Sequence, residues 1–235
     1  MDAIERIIVA LDFASAAEAE AAVDRIGPAG RAYKIGLELL TSAGPGPAAR
    51  LAAAGHLVFL DLKLFEIPSS VAGAVRAAGR LGAGMVTVHA SGGPGIMRAA
   101  VDAAAEFPGL RVLALTVVTS MTAGDLAELG IAATPAEQTV RLARLARRAG
   151  CHGLVASPQD AGTLRQEVGP GPLIVVPGVT VPGTTAPAPD HARPGDAAAA
   201  VRAGASHVIV GRPVTRAPDP AGVLRRLAAS MNSPR

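Results

Sequence analysis

The hydrophobic positions of the chain fall into eight short runs rich in β-branched residues, and an alanine-rich stretch follows each run. Continuous apolar runs of this length predict strands that are buried on both faces, as in a parallel sheet covered by helices. Strands are predicted at 6–12, 32–37, 57–64, 85–90, 111–118, 153–158, 173–178 and 207–212. Helices are predicted at 15–27, 47–55, 69–82, 94–106, 138–150, 160–169, 196–205 and 221–230.

Eight strand–helix units in 235 residues predict an α/β fold, a single (β/α)8 TIM barrel that forms one domain over residues 1–235. An open, doubly wound sheet is the alternative. The regular repetition and the absence of a GxGxxG pattern after the first strand argue against it. No linker or shift in composition divides the chain.

Composition narrows the classes of protein that fit. The chain has one cysteine, Cys151, which excludes an internal disulfide and suits a reducing compartment. No signal peptide and no membrane-spanning run is recognised, so a cytoplasmic protein is expected. The net charge of +3 does not predict nucleic-acid binding, because the cations are spread along helices and aromatic residues for stacking bases are scarce.

The two lysines stand out against the arginines. Of 22 cationic residues 20 are arginine, and Lys34 and Lys63 both lie in predicted strands. An ammonium can donate a proton, whereas a guanidinium cannot readily do so, so these two positions are candidates for chemistry. Chance retention of two lysines is the alternative interpretation.

Charged residues collect at the predicted carboxyl ends of neighbouring strands, where barrels of this type place their active sites. Asp12 ends the first run, Lys34 lies in the second, and Asp61 and Lys63 end the third. Side chains alternate along a strand, so Asp61 and Lys63 share one face, and a charged face is expected to point into the barrel mouth. An ordinary ion pair at a strand end is the alternative. His89, Thr119 and Ser157 are further polar residues at these ends.

A phosphate site is predicted from the last two units. VVPGV ends the seventh strand and IVGRPVT ends the eighth, and the loops after these strands commonly bind phosphate in this fold. Gly178 and Gly211 would let backbone N–H groups approach the anion, and Arg212 would add a bidentate cation. Simple turn geometry is the alternative reason for the two glycines.

No metal site is predicted. The five histidines are scattered, and none is spaced from cysteine or carboxylate residues as metal ligands are. His56, His152 and His207 precede strands, which places them at the opposite rim of the barrel, where a structural role is expected.

The stretch DLKLFEIPSSV resembles the DxKxxDIPxT signature of the orotidine 5′-phosphate decarboxylase family. ALDF, YKIGLEL, LTVVTSMT, VPGV and VIVGRPVT follow in that family's order, so the resemblance covers essentially the whole chain. The wider superfamily includes sugar-phosphate enzymes with a similar DxK strand. Its metal-dependent members have glutamate at the position of Lys34, so lysine there favours the metal-free decarboxylase.

The resemblance implies a homodimeric barrel that converts orotidine monophosphate (OMP) to uridine monophosphate (UMP) and CO2 without a cofactor, in pyrimidine nucleotide synthesis. Asp61 would lie against the substrate carboxylate, and Lys63 would stabilise and protonate the carbanion at C6. Lys34 and Asp12 would bind the ribose hydroxyls and orient the charge array, so Lys34 is expected to be catalytic as well. Thr119 and Thr122 would contact the nucleotide, and Gly211 and Arg212 would bind the phosphate. Glu66, expected to be a further catalytic residue, and Ser70 would reach into the partner subunit's site.

Five positions depart from the family pattern, and one of them is Phe65, where many relatives have histidine. Glu66 stands in place of the second aspartate of the signature, and Ser70 in place of the threonine. Thr180 replaces the arginine of a PGIR sequence, and His191 aligns with the phosphate-side glutamine, so both are candidates for contacts near the phosphate. These differences keep two other hypotheses open: a diverged paralogue that acts on a related nucleotide or sugar phosphate, and a non-catalytic nucleotide binder.

Overall fold

The computed structural model of the chain describes residues 2–182 and 192–232. Within these ranges eight parallel strands close into one barrel, which confirms the (β/α)8 architecture. In chain order the strands are β1 (Ile7–Ala10), β2 (Ala32–Ile35), β3 (Leu57–Leu64), β4 (Met85–His89), β5 (Arg111–Leu115), β6 (Gly153–Val155), β7 (Leu173–Val176), β8 (Val179–Thr180), β9 (Gly195–Asp196) and β10 (His207–Val210). β8 and β9 pair separately, and β1 closes the barrel by pairing with both β2 and β10.

Helices cover the outside of the barrel. They are α1 (Ala16–Ile26), α2 (Leu37–Ala43), α3 (Gly46–Ala53), α4 (Pro68–Arg80), α5 (Gly93–Ala104), α6 (Ala123–Glu128), α7 (Pro135–Arg148), α8 (Ala161–Val168), α9 (Ala197–Ala203), α10 (Arg212–Thr215) and α11 (Pro220–Asn232). α1 begins where the hydroxyl of Ser15 accepts a hydrogen bond from the N–H of Glu18. α7 begins with a reciprocal capping box between Thr134 and Glu137.

Most predicted strands extend too far at their carboxyl ends. The second was expected to reach residue 37, but Gly36 caps α2, and α2 itself was not predicted. The 119–137 region was expected to be a loop, yet it contains α6, which a capping box between Thr122 and Asp125 starts. The side chains of Thr122 and Asp125 cap the start of α6 and favour a helix over the expected loop.

The core has two layers, as side-chain alternation requires. One layer fills the barrel and includes Ile8, Phe59, Leu113 and Ile209. A larger layer of alanine, valine, leucine and isoleucine lies between the strands and the helices. In β3, Phe59 points inward and Leu60 packs under the helices. Further along the strand, Asp61 and Lys63 both face the cavity at the mouth of the barrel.

The three histidines that precede strands lie at the opposite rim, as predicted. The ring of His56 packs edge-on against Tyr33 at 5.0 Å, and Nδ1 of His152 accepts a hydrogen bond from the N–H of Val112. His207 is 4% exposed, and its Nδ1 has no hydrogen-bond partner among the described residues.

Among residues 2–182 and 192–232, no helix is both long enough and apolar enough to cross a membrane.

Candidate active site

A cavity of about 440 Å³ opens at the carboxyl ends of the barrel strands. That volume is in the range of sites that bind small molecules. Eight residues predicted from the sequence line it: Asp12, Lys34, Asp61, Lys63, Thr119, Gly178, Gly211 and Arg212. Strands β1, β2, β3 and β5 and the segments after β7 and β10 therefore converge on one site, as the barrel topology requires.

Four alternating charges form a continuous row on one side of this cavity. Lys34 Nζ lies 2.8 Å from Asp12 Oδ1 and 3.9 Å from Asp61 Oδ2. Lys63 Nζ lies 2.9 Å from the same Asp61 oxygen. The side chains of Lys34 and Asp61 are only 10% and 11% exposed, whereas that of Lys63 is 35% exposed. Lys63 thus reaches the open space of the cavity with an ammonium that a buried carboxylate orients.

The parallel register of the first three strands places these charges side by side. Lys34 stands beside Ala10 of β1 and Phe59 of β3, one strand position before Asp61. Gly36 leaves room for them, because a Cβ atom at that position would lie 3.0 Å from Lys34 Nζ and 3.2 Å from Asp12 Oδ1. The ion pair of Lys34 and Asp12 therefore occupies a space that a methyl group on residue 36 would crowd.

The far side of the cavity carries the features expected of a phosphate site. Gly178 has a φ of 73°, a backbone conformation that residues other than glycine rarely adopt. Gly211 precedes α10 and, with Arg212, borders the same space. Three polar side chains that line the cavity were not predicted: Glu38, Thr215 and Arg216. Arg216 follows Arg212 by one helical turn, and that spacing is the signal that the sequence offered.

A buried ion pair holds the segment formed by residues 192–195. Arg193 Nη1 lies 2.5 Å from Asp160 Oδ2, and the two side chains are 14% and 10% exposed. Burial raises the pKa of Asp160, and Arg193 opposes that rise. The hydroxyl of Ser157 donates to the carbonyl of Arg193 at 2.9 Å. Ser157, which was noted in the sequence as a polar strand-end residue, therefore fastens a loop and does not line the cavity.

Residues 192–195 also contact two other loops at the cavity. The N–H of Ala192 donates to the carbonyl of Thr119 at 3.0 Å, and the N–H of Gly195 donates to the carbonyl of Gly178 at 3.2 Å. Residues 192–195 thus connect the loops that follow β5, β6 and β7. Thr119 and Gly178, both of which line the cavity, depend on this connection for their position.

Two predicted binding residues do not line the cavity. The hydroxyl of Thr122 caps α6 and donates to Asp125 Oδ2 at 2.7 Å. Thr180 is exposed in β8, and its hydroxyl donates to the carbonyl of Gly195 at 3.3 Å. Both hydroxyls therefore form hydrogen bonds within the protein. Residue type and spacing alone could not show whether these hydroxyls bind the protein or a substrate. His191 lies outside the described residues.

Glu66 and Ser70 also lie outside this chain's own cavity. Both are exposed, and hydrogen bonds from Ser70 and from the Ile67 backbone lower the pKa of Glu66. The neighbouring Phe65 and Ile67 are large apolar residues with 63% and 60% exposure. The segment that follows β3 therefore presents a carboxylate between two exposed hydrophobic side chains.

His89, at the end of β4, borders this segment. Its ring stacks on Phe65 with a centroid distance of 5.5 Å, and its Nδ1 accepts a hydrogen bond from the N–H of Ser91. Burial and the nearby charge of Lys63 lower the pKa of His89. Among residues 2–182 and 192–232, no group of three or more His, Cys, Asp and Glu side chains is arranged to hold a metal ion.

Comparisons with known proteins agree with this geometry. A model of the orotidine 5′-phosphate decarboxylase / HUMPS family matches residues 5–227. The orotidine 5′-phosphate decarboxylase of Anaeromyxobacter dehalogenans is 48% identical over 227 residues, which cover 97% of this chain and 98% of the relative. That of Halorhodospira halophila is 46% identical, with 96% and 95% covered. The crystal structure of orotidine 5′-phosphate decarboxylase from Lactobacillus acidophilus superimposes with a TM-score of 0.86 at 31% identity, covering 97% and 99%.

Proposed function

Because the chain belongs to the orotidine 5′-phosphate decarboxylase / HUMPS family, we propose that it converts OMP to UMP and CO2, in pyrimidine nucleotide synthesis in the cytoplasm, through its row of four charges. The main support for this proposal is the cluster in which the ammonium groups of Lys34 and Lys63 lie beside the buried carboxylate of Asp61. Relatives with 46% and 48% identity over nearly the whole chain carry the decarboxylase name.

Binding of the nucleotide uses both sides of the cavity. The phosphate lies against Gly178, Gly211 and Arg212, where the loops after β7 and β10 meet. The ribose hydroxyls contact Asp12 and Lys34, whose ion pair offers both a hydrogen-bond acceptor and a donor. This grip on the phosphate and the ribose supplies binding energy that can be used at the reacting carbon.

Asp61 and Lys63 act on the carboxylate-bearing carbon of the pyrimidine. With the nucleotide held in this way, the substrate carboxylate faces Asp61, whose side chain is 11% exposed. Two carboxylates in a water-poor site repel each other, and that repulsion is relieved when CO2 leaves. The Lys63 ammonium stabilises the negative charge that develops in the transition state.

The proton and electron balance of the step needs no other reactant. The bond between C6 and the carboxylate carbon breaks, CO2 departs, and the electron pair stays on C6. Lys63 then donates an N–H proton to C6, which yields UMP, and the neutral amine takes up a proton from solvent. This route uses no cofactor or metal.

A homodimer with shared sites completes the proposal. Glu66 and Ser70 lie outside their own cavity, and Phe65 and Ile67 expose apolar surface on either side of Glu66. Burial of these side chains against a second copy would remove that surface from water and carry Glu66 to the partner's substrate. The glutamate is one methylene longer than the aspartate of the family signature.

Glu66, Thr180 and His191 had suggested a diverged paralogue with another substrate. Thr180 does not line the cavity, and its hydroxyl bonds to the carbonyl of Gly195, so this position gives no sign of a different ligand. The relatives do not favour the paralogue. A non-catalytic binder would have no reason to keep two ammonium groups beside one buried carboxylate.

The direct test is the fall in ultraviolet absorbance when OMP is mixed with purified wild type and with Lys63→Ala. We expect turnover by wild type and a loss of about 100-fold or more in kcat for the variant. Titration with UMP serves as the control, because both proteins should still bind the product. Wild type that binds UMP and leaves OMP unchanged would overturn the proposal.

A further inference from the structure

Lys63 has an unusual backbone conformation. Among the described residues it is the one non-glycine residue with a positive φ, at 50°. It lies inside β3, where extended conformations are the rule. A left-handed residue at such a place persists only when the surrounding structure holds it, and functional sites are where such residues concentrate.

The irregular pairing of β3 with β4 locates the residue that holds it. Leu60 pairs with Val86 and Leu64 pairs with Val88, so residues 61–63 of β3 face the single residue Thr87 of β4. A bulge of this kind leaves backbone groups of the longer strand without their usual partners across the sheet. Asp61 and Lys63 are the first and last residues of this bulge.

Thr87 bonds to both ends of the bulge. Its hydroxyl accepts a hydrogen bond from the backbone N–H of Lys63 at 2.8 Å and donates one to Asp61 Oδ1 at 3.1 Å. Thr87 is fully buried. A hydroxyl has one hydrogen to donate and lone pairs to accept, so this single group satisfies the Lys63 N–H and one Asp61 oxygen together.

We propose that Thr87 is a positioning residue for the reaction: it holds the β3 bulge so that the Asp61 carboxylate and the Lys63 ammonium both point into the cavity. The inference rests on the proposed decarboxylation. Thr87 does not line the cavity and makes no contact with substrate in this scheme. Its effect passes through the two residues that do.

The test compares Thr87→Val with wild type and Thr87→Ser. Valine keeps the shape of threonine but removes both hydrogen bonds, so Asp61 and Lys63 shift. A displacement near 1 Å in a catalytic array costs about 100-fold in rate, and we expect a loss of that size in kcat with KM changed by less than about threefold. Thr87→Ser keeps the hydroxyl and should recover most of kcat.

Thr116→Val is the matched control. Thr116 is also fully buried and its hydroxyl also donates one hydrogen bond, to the Val155 carbonyl at 3.0 Å, yet it touches neither Asp61 nor Lys63. Loss of a buried hydroxyl bond should lower the thermal unfolding temperature of both valine variants. Only Thr87→Val should lose about 100-fold in kcat.

The outcomes separate this inference from the proposed function. If wild type leaves OMP unchanged, the proposed function fails. If wild type turns over and Thr87→Val retains kcat within about threefold, or loses it no more than Thr116→Val does, the positioning role is wrong. If Thr87→Val is recovered unfolded, Thr87→Cys, with a weak hydrogen-bonding thiol, takes its place with the same expected and contradicting results.

Discussion

The ammonium of Lys34 lies 2.8 Å from the carboxylate of Asp12 and is almost fully shielded from solvent. On its other side Asp61 lies 3.9 Å away. One compact cation therefore links the carboxylate that follows β1 to the one in β3. Through Asp61 this link extends to Lys63, so the four residues form a single electrostatic unit in which a change at one member alters the others.

Substitution of Lys34 by arginine should disable this unit even though the charge is kept. A planar guanidinium is larger than an ammonium, and the space beside Gly36 is already so narrow that a single methyl group there would lie 3.0 Å from Lys34 Nζ. We expect kcat/KM for OMP to fall by about 100-fold or more in Lys34→Arg.

The control for this prediction exchanges the same residue types at an exposed ion pair. Arg50, which pairs with Glu20 on the surface, can be replaced by lysine, and we expect kcat/KM to stay at the wild-type value. Wild-type turnover by Lys34→Arg would show that any cation suffices at this position.

Shared sites predict complementation between two inactive variants. Lys63→Ala lacks its own proton donor, whereas Glu66→Gln lacks the carboxylate that is proposed to serve its partner. In a mixed dimer one site has Lys63 from one subunit and Glu66 from the other, so an equal mixture should regain about a quarter of wild-type activity after subunit exchange.

The control for complementation is Lys63→Ala mixed with Asp61→Asn. Both residues belong to the same subunit's site, so no combination of these two chains contains an intact site. This mixture should stay inactive. An equal lack of activity in the Lys63→Ala and Glu66→Gln mixture, with dimers present, would contradict the contribution of Glu66 to a partner.

The buried pair of Arg193 and Asp160 should support both stability and substrate binding. Arg193→Met leaves the Asp160 carboxylate buried without its cation, and breaking such a pair costs roughly 3 kcal/mol in the free energy of unfolding. KM for OMP should rise more than kcat falls, because residues 192–195 hold Thr119 and Gly178 at the cavity. Urea unfolding and steady-state kinetics measure the two effects.

Two comparisons make this prediction specific. Arg76 and Glu106 form an exposed pair, so Arg76→Met should leave the free energy of unfolding close to the wild-type value. The double variant Asp160→Leu with Arg193→Met removes both buried charges and should be more stable than Arg193→Met alone. A double variant no more stable than that single variant would contradict the view that the unpaired carboxylate causes the loss.

His207 should make stability depend on pH. Burial, and then the charge of Arg6, lower the pKa of His207 from 6.5 to about 4. Between these values the unfolded chain binds a proton that the folded chain does not, so the free energy of unfolding decreases as pH falls from 6.5 towards 4. From pH 7 to pH 5 the decrease due to this residue should be about 2 kcal/mol.

Urea unfolding at the two pH values measures this effect. His207→Gln cannot take up the proton, so the decrease between pH 7 and pH 5 should be smaller by about 2 kcal/mol than in wild type. His152→Gln is the comparison, because His152 is only half-buried and its substitution should remove less of the decrease. Identical pH dependence in wild type and His207→Gln would contradict the lowered pKa of His207, because it would mean that the folded and unfolded chains bind this proton equally well.

The hydrophobic pattern by itself determined the barrel and much of the candidate site. Eight buried strand segments in one chain require a closed parallel sheet with its strand ends together, and the expected alternation of side chains along a strand predicts that Asp61 and Lys63 share one face. These relations depend on neighbours close in sequence and on a regular repeat. Residue type and order were therefore sufficient to predict them.

Only the tertiary structure decided which polar residues support that site. Thr87 lies 24 positions from Lys63, whose backbone N–H donates a hydrogen bond to its hydroxyl, and Arg193 lies 33 positions from Asp160. Such pairs arise where β4 meets the bulge in β3 and where distant loops converge at the barrel mouth. Thr122, by contrast, caps the helix α6 close to it in sequence and does not line the cavity. A short polar side chain can satisfy its hydrogen bonds in either way, and the choice depends on which backbone groups the completed fold leaves without partners.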